Sequence, residues 1–335
     1  MHMKISDIEI FRSLSRNRLS VTSDPDGIVF NRFTPYQYQA YSSSPQASIR
    51  SRCPAGVCLD FLTDSDVVKL EYKYRDFARR WLYFDVYVND RFVESIGNRF
   101  EESGGGSIEI KVPAPESENA LRRITIYLPH NVDLAVAHME LADGSVWEPA
   151  PEYQGSLLCF GDSITQGMDA LRPSSAYPVQ LARFFNMNLL NQGVGGQIFN
   201  KQHLDPDLPC RPDLVTVAFG TNDWGRHHSI GEFRQSCSEY LGLLAGLYSD
   251  ADIFVITPLW RGDLHEVKPA GRFFDIADSI RDICSRHANI TVLDGMKLVP
   301  NMPGFFKDST LHPSDEGFMH YSINLIKELR KFRGW

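Results

Sequence analysis

Leu157-Leu158-Cys159-Phe160-Gly161-Asp162-Ser163-Ile164-Thr165-Gln166-Gly167 is the stretch on which the reading of this chain turns. A short apolar run stops at a Gly-Asp-Ser triplet, the pattern of a buried strand that delivers a serine to the edge of a sheet. Two other polar clusters complement it: Gly220-Thr221-Asn222-Asp223, and Asp308-Ser309-Thr310-Leu311-His312-Pro313. Together they supply a hydroxyl, a side-chain amide, an imidazole and a carboxylate.

Around that stretch the rhythm is alternating β and α. Apolar runs of strand length at 156–160, 189–190, 214–219, 253–258 and 290–293 are interleaved with amphipathic segments at 177–185, 230–248, 273–287 and 315–331. This alternation predicts a parallel sheet covered by helices on both faces, an α/β fold. In such sheets the ligand crevice lies beyond the carboxyl ends of the strands. Ser163 follows the first strand, the loop Asn191-Gln192-Gly193-Val194-Gly195-Gly196 the second and Asn222 the third, so all three are expected at one edge.

Upstream the period changes to two. Segments 67–74, 81–88, 107–112, 123–128 and 132–141 read as strands, and their close spacing predicts a sandwich or jelly roll. Ser103-Gly104-Gly105-Gly106 reads as a flexible turn between strands. Trp81, Tyr83 and Tyr87 share one face of their strand, which is expected to be the core face. Asp143-Gly144-Ser145-Val146-Trp147-Glu148-Pro149-Ala150-Pro151 reads as the linker. The expected domains are therefore 1–150, an all-β accessory domain, and 151–335, the α/β domain.

The composition narrows the class. With 335 residues, 43% hydrophobic, the chain is long enough for two cores. A net charge of −8 and no basic cluster longer than Arg79-Arg80 or Arg122-Arg123 argue against nucleic acid. No apolar run reaches membrane-spanning length, and the N-terminus lacks a signal-peptide core, so a cytoplasmic location is expected. The six cysteines form no CxxC pair and are expected to be free thiols, with a Cys53–Cys58 bridge as the alternative reading. No cofactor and no metal site is expected: His227-His228 are adjacent, and His203 and Asp205 lie in a Pro-rich loop.

A serine hydroxyl is a weak nucleophile until a base removes its proton. Ser163 sits where a helix begins, so it is either a nucleophile near free N–H groups or an ordinary helix cap. Asn222 can donate its amide to an oxyanion, or serve only the turn it sits in. The glycines at 193, 195 and 196 let backbone approach a substrate, or simply make a tight turn. A dinucleotide loop is disfavoured, because the third spaced glycine is missing. His312, after the last strand and before a stiffening proline, is the best placed of ten histidines to act as a base. Asp308 can hold its tautomer. Asp162 and Asp223 read as structural, bonding backbone N–H groups at strand ends.

These residues resemble the blocks of the SGNH, or GDSL, hydrolase family. Phe160 to Thr165 resembles the first block, Asn191 to Gly196 the second, Gly220 to Asp223 the third and Leu311-His312-Pro313 the last. The resemblance implies a flavodoxin-like parallel sheet and a serine esterase: Ser163 the nucleophile, His312 the base, and the N–H groups of Ser163 and Gly196 with the Asn222 amide the oxyanion hole. One departure stands out. The family's aspartate precedes its histidine by three residues, where this chain has Ser309; Asp308 lies one further back. Either the chain bulges so that Asp308 reaches the ring, or a backbone carbonyl orients the histidine. A β domain before such a domain resembles certain two-domain carbohydrate esterases, which implies a short-chain, O-acetyl substrate on a carbohydrate. Two rival readings are a lipid acylhydrolase, with Phe199, Trp224, Trp260, Phe305 and Phe306 lining an acyl channel, and a carbohydrate-binding protein without turnover. The expected partner is a small-molecule or oligosaccharide ester. Arg52, Arg79 and Arg80 are conceivable contributors to the site, though exposed ion pairs are the simpler fate.

Overall fold

A computed structural model describes residues 2–333 apart from 116, 118 and 119. The chain forms two compact units, and each is discontinuous in sequence. The first comprises Met1–Arg32, Ile49–Tyr153 and Arg172–Ser174; the second comprises Phe33–Ser48, Gln154–Leu171 and Ser175–Trp335. The boundary read near Ala150 is a single cut, whereas the chain assigns residues 33–48 to the second unit. Thr34 caps helix Pro35–Tyr41 through a reciprocal capping box with Gln37. Buried Gln37 donates to Gln192 Oε1 and to the His203 carbonyl, at 2.5 and 3.0 Å. Phe33, Tyr41 and Ala47 cluster with Val194.

The first unit holds two antiparallel sheets that share one core. In the first, the order is Ser20–Asp24, Gly27–Asn31, Val132–Ala142, Val67–Phe77, Gly104–Lys111, with His2–Ile5 also on Val132–Ala142. The second runs Trp147–Pro149, Cys58–Thr63, Arg122–Tyr127, Trp81–Val88, Arg91–Arg99, with Ser15–Arg16 also on Cys58–Thr63. Alternate residues of both sheets, among them Val68, Leu70, Phe84, Val86, Ile124 and Ile126, fill the space between. Arg52 pairs with Asp76 and Asp133, and Arg80 with Glu101.

Three local expectations are corrected here. Gly104-Gly105-Gly106 is not a turn: the glycines begin a strand and pair with Tyr74, Lys73 and Tyr72. A Cβ on Gly105 would lie 2.8 Å from the Tyr72 carbonyl oxygen, so the strand approaches its partner as only glycine can. The linker contains strand Trp147–Pro149, which pairs with Cys58–Thr63. Trp81, Tyr83 and Tyr87 do share a face, but it is not the core face: Leu82, Phe84, Val86 and Val88 fill the core. The hydroxyl of Tyr87 explains the preference, since it meets Ser174 Oγ at 2.9 Å where a sandwich core would offer it no partner.

The second unit holds a parallel sheet with helices between most of its strands. In chain order they are β1 (Gly155–Gly161), α1 (Ser163–Gln166), α2 (Tyr177–Phe185), β2 (Met187–Gly193), β3 (Leu214–Ala218), α3 (Ile230–Leu247), β4 (Asp252–Ile256), α4 (Phe273–Cys284), β5 (Ile290–Leu293) and α5 (Asp315–Arg333). All neighbouring strands pair parallel, in the order β2-β1-β3-β4-β5. This is the flavodoxin-like order, whose direction of winding reverses between β1 and β3. Helix α3 packs with α4, and α2 with α5. All six cysteines are free. Among the described residues, no helix is long and apolar enough to cross a membrane.

Candidate active site

The winding reversal splits the loops after β1 and β3 and leaves a crevice at their carboxyl ends. Ser163 opens α1 directly after β1. Asp162 caps that helix, its Oδ1 accepting the Ile164 N–H at 2.9 Å, and Gly167 ends it in the left-handed region at φ 91°. The short helix is locked onto the second strand from two sides. Asn191 Nδ2 donates to the Thr165 carbonyl at 2.9 Å, and Gln166 Oε1 accepts the Gly195 N–H at 2.9 Å. Gly193 is obligatory here, since a Cβ would lie 2.4 Å from the Gln166 nitrogen. Its smallness therefore serves the seat of the serine helix rather than a substrate.

Ser163 Oγ lies 2.9 Å from His312 Nε2. On the other side of the ring, Nδ1 lies 2.8 Å from Asp308 Oδ2. Asp308 reaches it because Ser309 takes a left-handed conformation, φ 60°, which tightens the loop. Asp308 Oδ1 accepts the backbone N–H groups of Thr310, Leu311 and His312 at 3.0, 2.7 and 3.1 Å. The loop is pinned in turn by Gly262 N–H to the Thr310 carbonyl and by Lys307 N–H to the His312 carbonyl.

A second carboxylate, which the sequence reading did not single out, shares this nitrogen: Asp169 Oδ2 lies 3.1 Å from His312 Nδ1. Asp169 follows the serine helix and is left-handed, φ 72°. Its local sequence carries no catalytic signature; only a positive-φ aspartate just past the Gly167 cap marks it. Asp169, Asp308 and His312 bring side-chain oxygen and nitrogen atoms within 4.8 Å of one another. The sequence could not show this set, because Asp169 is remote in the chain from the other two.

Burial disfavours the His312 imidazolium, but Asp169 and Asp308 outweigh it and raise the group to about 9. Burial likewise opposes ionisation of Asp308, yet the His312 ring and the three backbone N–H groups hold its carboxyl well below the usual range. Asp162 is pushed up to about 7, because burial outweighs the Ile164 N–H and the nearby His312.

Among the described residues, the backbone N–H groups of Ser163 and Gly196 have no protein acceptor, and Gly196 is left-handed at φ 80°. Asn222 Nδ2 lies 3.2 Å from Asp162 Oδ2 and 3.1 Å from the Gln197 carbonyl. Asp223 receives the Gly220 and Phe199 N–H groups at 2.9 and 3.1 Å. Asp162 and Asp223 thus bond backbone N–H groups at strand ends. His227 is buried against Asp223, and burial lowers His203 to about 4.

The five aromatics considered for an acyl channel are placed differently. Phe199 and Trp224 are fully buried: Phe199 packs on Phe219, Phe233 and Tyr240, and Trp224 on Phe273. Trp260 packs on Phe306, itself buried, and Phe305 on His320. A cavity beneath Asp162, bounded by Ile164, Phe219 and Tyr321, measures about 20 Å³, room for one water. A larger groove of about 710 Å³, lined by Phe184, Leu298, Ile323 and Lys327, contains neither Ser163 nor His312, nor any of the residues around them. Size therefore does not mark the site; the convergence of serine, imidazole, carboxylates and unpartnered N–H groups does.

Residues 159–319 match the GDSL-like lipase/acylhydrolase family. No curated protein matches the chain. Solved structures share its architecture over both units. A salicylyl-acyltransferase, SsfX3, from a tetracycline biosynthetic pathway aligns with a TM-score of 0.78 at 17% identity, covering 95% of this chain and 94% of its own. The acetyl xylan esterase Est2A from the rumen bacterium Butyrivibrio proteoclasticus aligns at 0.63 and 15%, covering 100% and 99%. A family two carbohydrate esterase from Cellvibrio japonicus aligns at 0.65 and 14%, covering 100% and 98%. At these identities the likeness is one of fold.

Proposed function

We propose that this chain, whose residues 159–319 match the GDSL-like lipase/acylhydrolase family, hydrolyses short-chain acyl esters, and O-acetyl groups on a carbohydrate in particular. The observation that carries this reading is the continuous chain Ser163 Oγ–His312 Nε2 and Nδ1–Asp308, at 2.9 and 2.8 Å, beside the unpartnered N–H groups of Ser163 and Gly196. His312 takes the Ser163 proton as Oγ attacks the ester carbonyl. The carbonyl oxygen becomes an oxyanion that accepts from the Ser163 and Gly196 N–H groups and from Asn222 Nδ2, which turns one hydrogen from its present acceptors. The proton on His312 passes to the leaving alcohol, giving an acyl-serine. Water, deprotonated by the same ring, releases the acid.

The short acyl group is favoured by the burial of Phe199 and Trp224, which removes two walls of the channel that a long chain would need. The sugar ester is favoured by the likeness of fold to an acetyl xylan esterase and a family two carbohydrate esterase. Hydrolysis of p-nitrophenyl esters from acetyl to long acyl, by wild type and Ser163→Ala in parallel, is the test. Acetyl turnover that falls with chain length and is absent from the variant supports the proposal, and acetylated sugars are then screened. A long-chain preference overturns the short-acyl reading. The likeness to a salicylyl-acyltransferase adds one arm to the assay: an alcohol acceptor is included, and acyl transfer to it in place of water reassigns the second half-reaction.

A further inference from the structure

The His312 ring is held by carboxylates from two separate loops. Asp308 comes from the histidine's own loop, and Asp169 from the loop that leaves the serine helix. We propose that Asp169 is a second positioning carboxylate for His312, sharing the Nδ1–H with Asp308, so that the imidazole keeps its tautomer and an anionic partner when either carboxylate is removed. This rests on the reading of Ser163 and His312 as nucleophile and base.

The placement of Asp169 is built rather than incidental. The Met168 N–H donates to the Ser163 carbonyl at 2.9 Å, and the Ala170 N–H to the Gly167 carbonyl at 3.1 Å. The backbone before Asp169 is thereby tied to Ser163 itself, and the backbone after it to Gly167, the cap of the serine helix. Its left-handed φ of 72° is a conformation that aspartate and asparagine accept more readily than most side chains. The side chain is 8% exposed, against 35% for Asp308. Burying a carboxylate is costly unless a positive or hydrogen-bonding partner compensates it. The ring N–H supplies that partner, and it does so best when the ring is an imidazolium.

The two carboxylates divide the task. Asp308 is fixed by three backbone N–H groups on one oxygen, so its other oxygen is set in direction, but water reaches it and screens its charge. Asp169 is screened less, so its charge acts on the ring more strongly for its distance. Asp162 also interacts electrostatically with His312, and Asp223 and Arg261 act on Asp162 in turn. The high value of about 9 for His312 has both aspartates among its causes. Two orienters also account for a histidine loop that departs from the family spacing: the nucleophile's side of the site supplies part of what that spacing ordinarily secures.

The test uses the full chain with Asp169→Asn, Asp308→Asn and the double variant. Asparagine suits φ 72°; Asp169→Gly, free of strain there, replaces it if the asparagine protein does not fold. Two readouts are taken. One is the pH dependence of Ser163 reaction with a fluorophosphonate probe. The other is the NMR titration of the His312 ring in a Ser163→Ala background, which needs no turnover. Each single change is expected to move the His312 midpoint down by about one to three pH units. Each is also expected to cost less than the ~10⁴ that a lone orienting aspartate is worth, while the double costs more than the product of the singles. An unmoved midpoint in Asp169→Asn, or an Asp308→Asn protein as unreactive as the double, overturns the proposal. If wild type neither hydrolyses esters nor reacts with the probe, the esterase reading fails, and the NMR midpoints still decide the place of Asp169.

Discussion

Under the proposed mechanism, Ser163, Asn222 and His312 each carry a separable share of the chemistry. Ser163→Ala is expected to abolish ester turnover without loss of folding, since it removes one hydroxyl from a site whose backbone is capped by Asp162. Asn222→Ala should lower kcat by roughly 10²–10³, the worth of one oxyanion donor, with KM little changed; full activity in that variant would remove Asn222 from the hole. The pH profile follows from His312. The ring must be neutral to accept the Ser163 proton, and its value is raised from 6.5 to about 9. The kcat/KM of wild type should therefore fall as pH drops below about 9 and level off above it. Stability runs the other way: the imidazolium's contribution is complete below pH 6.5 and is lost as pH rises through about 9. A kcat/KM profile flat from pH 6 to 9 would contradict this assignment.

At the scale of elements, the site depends on how closely the serine helix sits on the ends of β1 and β2. Gly193→Ala places a methyl against the Gln166 backbone, and the helix must lift. Displacements near 1 Å can cost about 10² in rate, so this change should lower kcat by roughly that factor while the melting temperature falls only modestly. Equal losses of stability and activity would show that the sheet, and not the seat of the helix, has given way. The same steric reasoning explains which elements were legible. Strand Trp81–Val88 and helices starting at Tyr177, Ile230, Phe273 and Asp315 follow directly from period and caps. Helices Ile8–Leu14, Pro35–Tyr41 and Pro45–Arg52 were hidden in a segment read as β, because helices of seven or eight residues span about two turns and leave no strong period. Gly104-Gly105-Gly106 looked like a turn because local sequence does not reveal that Tyr72 and Tyr74 lie opposite.

For the whole molecule, stability rests on links between distant parts of the chain. A fragment starting at residue 151 would lack helix Pro35–Tyr41, leaving Val194 uncovered and Gln192 without Gln37. Such a fragment is expected to melt well below the full chain or to aggregate; an equal melting temperature would show that residues 33–48 are dispensable to the second unit. In the first unit, Asp60 is fully buried and accepts from Arg123 at 2.9 and 2.7 Å and from Thr125 at 3.0 Å. Asp60→Ala should cost about 2–3 kcal/mol by chemical denaturation, less than the about 3–5 kcal/mol of a fully buried pair, because Arg123 is 21% exposed and regains some water.

The sequence alone determined the alternation of β and α after residue 155, the β character of most of the first half, and the three loops that carry Ser163, Asn222 and His312. These are properties of local period and of residue type at strand ends, and they act over a few neighbours. Only the tertiary structure decided that residues 33–48 complete the second unit, that Phe199 and Trp224 are core rather than channel, and that Asp169 stands beside Asp308 on one nitrogen. Each of those depends on contacts between residues far apart in the chain. Such contacts are set by the closing of the sheet and the packing of its loops, and no local pattern encodes them.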